Sequence, residues 1–307
     1  MSFSSDVKNE LYNLGSDDVL IKKAEVYGLL LFSKNFSLDL VSLETKNRKV
    51  IEQVFEFLAV NLGAIIEVKT KLSHKKGGVM LLTVPYLNDR ENILRFFYFG
   101  SSKKQLLIDY KNLQSEKQLS AFLRGVFLIC GSVTDPNKEY RLEFSVQNSA
   151  LANELYNVLS DLEINLVPRL SKKKNKSIIY IKENEQVSDF LVYIGAKNSA
   201  MEFMQVKMVK EVRNYVNRTT NFQTANLDKT AAAAAVQIRD IEYITREKGL
   251  DYLSYELREI AEIRMQNPDM SLKEIGEGLS KPISRSGVNH RLKKIMNIAD
   301  EIRKKRD

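Results

Sequence analysis

What this 307-residue chain lacks narrows its class first. It holds only five prolines and thirteen glycines, which excludes collagen-like and long disordered stretches. A single cysteine, Cys130, leaves no internal disulfide and fits a reducing cytoplasm. No apolar run comes near the roughly 20 residues that a membrane span needs. The opening MSFSSDVKNEL has no basic stretch followed by an apolar core, so no secretory signal is expected. There is no glycine-rich phosphate loop and no convincing nucleophile–base pair. His74 stands alone, and one His with one Cys makes no zinc site. No metal and no cofactor are expected on these grounds.

Cations, by contrast, are present and unevenly placed. The formal net charge is +8. Lys281 to Asp307 alone carries nine Lys or Arg against three Asp or Glu, a net of +6. A charge excess packed into one short segment is the footprint of a polyanion partner. A solvated basic tail would have the same charge, so other features must decide.

The chain also repeats itself. AEVYGLLLFSK (24–34) and AFLRGVFLICG (121–131) each place a glycine, Gly28 or Gly125, inside an apolar helical run. Alternating strand patterns follow, in Phe36, Leu38 and Leu40 and in Leu142, Phe144 and Val146. Each copy continues with an amphipathic helix, a hairpin with a basic loop (SHKKGG or SKKKNK) and a closing helix. The order helix, strand pair, helix, strand pair, helix thus occurs twice, over about 20–110 and 118–200. Glycine within a helix costs ~1 kcal/mol against alanine. Matched glycines in two first helices predict that these helices pack closely along a pseudo-two-fold axis.

Beyond the repeats, 203–220 reads as a connecting helix that frays into a polar loop, with Asn226 or Asp228 as N-cap of the next helix. That helix ends at Gly249, and another over about 252–266 stops at Asn267-Pro268. The expected organisation is a large domain at 1–215, a linker at 216–226 and a helical domain at 227–307.

The last domain contains SLKEIGEGLSKPISRSGVNHRLKKI (271–295). Ser271 and Glu274 form a capping-box pattern, with Met270 and Ile275 at hydrophobic-staple spacing. Gly276 would let a neighbouring helix come close. Ser284 is the expected N-cap of a second helix, with Ile283 and Val288 repeating the staple. Val288, Leu292 and Ile295 make its apolar face. Two capped helices and a short turn predict a helix-turn-helix. Arg285, Ser286, Asn289 and His290, near the start of the second helix, are expected at base edges. Lys281, Arg291, Lys293 and Lys294 are expected at phosphates, which fix register. With Ser284 at the helix start, these make the expected DNA-binding set.

PISRSGVNHRLKKI, NRTTNFQTANLDKTAAAAAVQIRDIEYI, AFLRGVFLICGSVTDPNKEYRLEF and SFSSDVKNEL together resemble the WhiA family of bacterial transcription regulators, over nearly the whole chain. Phe222 and Gln223 depart from it, since the family has Cys and Glu there. The resemblance implies an α+β, pseudo-two-fold LAGLIDADG homing-endonuclease-like domain followed by an all-α helix-turn-helix domain. It also implies a role in cell division and, in some bacteria, sporulation. Endonucleases of that fold hold divalent metal with one acid from each motif. Those positions fall here on Ser33 and Cys130, neither a hard carboxylate ligand. Both are expected to be buried packing residues, and Asp39 and Asp135 lie too far along to replace the acids.

The expectation is therefore a sequence-specific DNA-binding regulator, not an enzyme, whose large domain has lost cleavage. It would be cytoplasmic, nucleoid-associated and off the membrane. Its partners would be double-stranded DNA and other transcription regulators. One chain supplies its own pseudo-two-fold, so a monomer suffices. The alternatives are an active LAGLIDADG-type endonuclease and an RNA-binding factor. Basic loop residues Lys172, Lys173, Lys174 and Lys176 either track DNA or are plain solvated surface.

Overall fold

A computed structural model describes residues 2–71, 78–98 and 107–305. The described elements run α1 (Phe3–Leu11), α2 (Val19–Leu31), β1 (Asn35–Phe36), β2 (Val41–Thr45), α3 (Arg48–Leu62), β3 (Glu67–Lys71), β4 (Val79–Thr83) and α4 (Leu87–Phe97). The second copy follows as α5 (Glu116–Cys130), β5 (Gly131–Val133), β6 (Leu142–Val146), α6 (Ser149–Ser160), β7 (Arg169–Lys173), β8 (Lys176–Ile181) and α7 (Asn184–Tyr193). Then come α8 (Lys197–Lys248), α9 (Tyr255–Gln266), α10 (Leu272–Glu277) and α11 (Arg285–Lys304). The chain divides into two compact units, Met1–Lys210 and Glu211–Asp307.

In the first unit the repeat read from the sequence is real. Its sheets have the same antiparallel topology, in the orders β1-β2-β4-β3 and β5-β6-β8-β7. Corresponding Asn47 and Asn148 cap α3 and α6, each side-chain oxygen accepting from backbone N–H groups of the first turn. In the second sheet, Leu142 and Phe144 pair with Ile181 and Ile179, and all four are buried against the helices. The first sheet departs from the expected alternation. Phe36 is buried, but Leu38 and Leu40 are exposed in the β1–β2 connection. The core face there is supplied by Val41 and Leu43, with Leu43 paired to Leu82. A tight turn broke the period of two that the residues suggested.

The central helices α2 and α5 pack against each other, and the two glycines are the reason they can. A Cβ on Gly28 would collide with the carbonyl oxygen of Phe122, and one on Gly125 with that of Glu25. Each glycine faces the other helix's backbone, so neither obstacle can rotate away. Beside this crossing lies a buried ion pair, Arg124 Nη2 to Glu25 Oε2 at 2.9 Å, with side chains 11% and 5% exposed. Arg124 Nη1 also donates to the carbonyl of Ile194 at 3.3 Å. The pair was not expected from sequence, because nothing local marks its two members as partners.

α1 serves as a brace. Glu10 accepts from the backbone N–H of Asn198 at 2.7 Å and of Ser199 at 2.8 Å, and from the Ser199 hydroxyl at 2.6 Å. It therefore caps the start of α8, where N–H groups have no intrahelical acceptor.

α8 corrects the expected linker. It runs 52 residues without interruption, so the polar loop at 216–226 and the N-cap at Asn226 or Asp228 are not found. The segment holds many Asn and Thr, which favour caps and turns, but no Gly or Pro between Lys197 and Lys248. Thr230 turns its hydroxyl back to the carbonyl of Asn226 at 2.9 Å instead of breaking the helix. Gly195 and Gly249, both at positive φ, bracket α8, and the second is the stop expected from sequence. His74 and most of the first basic loop lie outside the described residues.

Candidate nucleic-acid interface

The second unit builds its site from a small apolar core. Ile241 and Ile244 of α8, Leu253, Leu257 and Ile260 around α9, Ile275 of α10, and Val288, Leu292 and Ile295 of α11 are buried together. Ile238, on the same helix, is only half-buried.

The caps are those the sequence calls for. The Ser271 hydroxyl accepts from Glu274 N at 3.3 Å, and Glu274 Oε2 accepts from Ser271 N at 2.7 Å, a complete capping box. These bonds hold the Glu274 carboxyl below the usual carboxylate range. Ser284 Oγ accepts from Gly287 N at 3.3 Å and lies 2.9 Å from Ser286 Oγ. Met270 and Ile283 pack at the edge of the core, as staple residues should.

Gly276 admits the neighbouring helix, as expected, and the turn as well. Its missing Cβ makes room for the carbonyl of Ile283, in the turn, and for Val288 Cγ2 of α11. Ile283 N donates to the carbonyl of Gly276 at 3.1 Å, which folds the turn back over α10.

Three polar ties set the angle between these helices, and none was marked in the sequence. Arg264, fully buried in α9, donates through Nη1 to the carbonyls of Met270 at 2.7 Å and Pro268 at 3.1 Å, fixing the entry to α10. Glu259 accepts from both the backbone N–H and the hydroxyl of Ser280, at 2.6 and 3.1 Å. Arg303, near the end of α11, reaches Asp240 of α8 at 2.6 Å and lies over the Tyr243 ring at 4.7 Å. The two carboxylates beside it, Asp240 and Asp300, raise the Arg303 pKa further.

With the core face committed, α11 presents the rest outward. Arg285, Ser286, Asn289, His290, Lys293 and Lys294 are exposed, and so is Lys281 in the turn. Ser284 is exposed but its hydroxyl serves the cap. Arg291 is half-buried, and its guanidinium is 3.2 Å from the Glu256 carboxylate of α9. It differs in this from its neighbours on the expected list.

In the first unit, the two positions corresponding to the lost acids meet at one place. Ser33 and Cys130, at the ends of α2 and α5, line one cavity of about 450 Å³. Ser33 Oγ donates to the carbonyl of Leu30 at 2.6 Å, and the Cys130 thiol donates to that of Val126 at 3.3 Å. They are half-buried lining residues, not core packing as expected. Burial pushes the Cys130 thiol up to about 12, so it stays protonated. The cavity lining has one carboxylate, Glu44, facing two lysines, Lys34 and Lys176. Asp39 and Asp135 are absent from it. No group of three or more His, Cys, Asp or Glu able to hold a metal occurs among the described residues.

A two-copy α+β unit with paired central helices, followed by a capped helix-turn-helix, defines a LAGLIDADG-like domain joined to a helix-turn-helix domain. Residues 119–213 match the WhiA LAGLIDADG-like domain and residues 216–299 match the WhiA C-terminal HTH domain. A "Probable cell division protein WhiA" from Thermoanaerobacter sp. is 37% identical over 100% of this chain and 99% of its own length. Its namesake from Clostridium tetani is 36% identical over 99% of both. The full-length DUF199/WhiA structure from Thermatoga maritima is 25% identical, with a TM-score of 0.61 over 98% of this chain and 99% of its own. The chain belongs to the WhiA family.

Proposed function

We propose that this chain is a sequence-specific DNA-binding transcription regulator that acts in cell division, chromosome segregation or sporulation. One observation carries the reading: α11 buries its apolar face and turns a run of cationic and amide side chains to solvent beside the turn. Arg285, Ser286, Asn289 and His290 occupy the first two turns, where a recognition helix meets base edges. Arg suits guanine and Asn suits adenine, each through two hydrogen bonds. Lys281, Lys293 and Lys294 serve the phosphates, and Ser284 holds the helix start. Arg291 joins α9 to α11 through Glu256 in the free protein. Such a protein works in the cytoplasm at the nucleoid.

On the same reading the first unit does not cut DNA. The places from which its two central helices would offer metal-binding acids hold a hydroxyl and a protonated thiol. The relatives' name, cell division protein, supports the biological setting.

Binding of specific and random duplexes across salt concentrations tests the proposal. Asn289→Ala is expected to relax base preference, by about 1–3 kcal/mol of discrimination at one base pair. Lys294→Ala is expected to weaken all duplexes alike and lower the salt slope by about 1. Uniform loss in both variants would refute the contact assignment. Metal-dependent nicking of plasmid by purified protein, abolished by Cys130→Ala, would refute the claim of no cleavage.

A further inference from the structure

We propose that the first repeat carries a docking shelf for an amphipathic, basic helix of a partner protein. Leu38 and Leu40 of the β1–β2 connection and Tyr86 and Leu87 at the start of α4 make the shelf, and all four are between 39% and 57% exposed. Arg90, one turn along α4 from Tyr86 and Leu87, joins its two sides. Its Nε donates to the carbonyl of Leu38 at 2.7 Å, and its Nη1 to those of Val84 and Pro85 at 3.0 and 2.6 Å. Single exposed apolar residues are ordinary, whereas a cluster held in place marks an interaction surface.

The second repeat shows what such a place holds. Asp89 Oδ2 accepts from Ile65 N at 3.0 Å, and Gln186 Oε1 accepts from Val167 N at 2.9 Å, so Asp89 of α4 matches Gln186 of α7. Tyr86, Leu87 and Asn88 then match Glu183, Asn184 and Glu185. The β1–β2 connection matches the β5–β6 connection. In the second repeat a helix lies against these places, formed by residues 203–210 of α8, which belong to the same compact unit. Phe203 is buried beside Tyr140, with ring centroids 5.4 Å apart. Lys210 Nζ donates to the carbonyl of Pro136 at 2.6 Å and lies over the Tyr140 ring at 5.0 Å. Lys207 Nζ reaches the Glu185 carboxylate at 2.8 Å.

The first repeat inverts the pattern. It is apolar where the second has Glu183 and Asn184, yet its shelf is left open. Charge selects the occupant. Arg90 is spent on three carbonyls, and Asp89 on the backbone N–H of Ile65. The charge left on the shelf is the carboxylate of Asp39, exposed between Leu38 and Leu40. A helix settling here should bring lysine or arginine beside its apolar face, as α8 brings Lys207 and Lys210 to the second repeat. A carboxylate among leucines is ill suited to a phosphate backbone. The four side chains offer on the order of 400 Å². That is well under a standard interface, so the complex is weak and exchanges readily.

Fluorescence anisotropy of a labelled peptide, KNSAMEFMQVKMVK (197–210), titrated with the full chain tests the shelf. This segment fills the matching place in the second repeat, and it carries three lysines against one glutamate. The expected result is saturable binding in the micromolar range. Leu38→Asp and Leu87→Asp are each expected to weaken it by more than about tenfold, because they set a carboxylate under the apolar face. Circular dichroism checks that the variants keep their fold. Asp39→Lys is expected to weaken binding most at low salt. Asn88→Glu is expected to tighten it, since it supplies the carboxylate that Glu185 gives to Lys207 in the second repeat. No saturable binding, or binding indifferent to both leucine variants, would overturn the proposal. So would loss of binding on Glu185→Arg alone, which would put the peptide on the second repeat. Weaker duplex binding by Leu38→Asp with peptide binding unchanged would make the shelf a nucleic-acid surface and overturn it too.

Discussion

A missing methyl group decides more in this chain than most side chains do. Gly276 abuts a backbone carbonyl of the turn, which cannot swing aside. Gly276→Ala is expected to destabilise the second unit by about 1–3 kcal/mol, as overpacking does, seen as a lower urea midpoint. Gly287 is the control, since its nearest neighbours are side-chain atoms of Ile283, and Gly287→Ala should cost less. At Cys130 the relevant property is protonation. A free thiol titrates near 9 and this one at about 12. The folded state therefore holds its proton more tightly than the unfolded state. That contribution to stability is complete below pH 9 and shrinks as pH rises from 9 towards 12. Alkylation of Cys130 by iodoacetamide is expected to be far slower in native protein than in urea. Glu274 shows the opposite sign. Its carboxyl is held low by the Ser271 bonds, so its contribution is present above the unfolded value and is lost as pH falls through the folded one. Glu274→Gln should remove that part of the acid sensitivity of α10, measured by amide exchange.

Among the elements, those written in local patterns were legible before the fold was known. The paired glycines announced the α2–α5 crossing, and the alternation of Leu142, Phe144 and Val146 announced β6. Both α10 and α11 start where Ser271 and Ser284 said they would. What escaped had its cause elsewhere in the chain. Leu38 and Leu40 alternate convincingly, yet the turn they sit in is set by pairing of β1 with β2. The Asn- and Thr-rich stretch of α8 reads locally as a loop, and only the absence of Gly and Pro over 52 residues argued otherwise. Glu10 caps a helix almost two hundred residues away, which no window could show. Glu10→Ala is expected to cost ~1 kcal/mol, as loss of a cap does, and to raise amide exchange at Asn198 and Ser199 specifically.

For the molecule as a whole, the outward set on α11 was legible because caps and stripe together fix which face is inside. Arg291 was not, because the carboxylate that engages it belongs to α9. That ion pair reaches into the energetics of DNA association. The salt dependence of binding is a headcount of cations that hand over counterions to solution when they meet phosphate. A guanidinium already neutralised by Glu256 has no such counterion to release. The slope measured for this protein should therefore fall one short of the tally of the cations expected at phosphate, Lys281, Arg291, Lys293 and Lys294. Glu256→Gln should restore the missing increment, making binding at once tighter in dilute salt and more easily undone by concentrated salt.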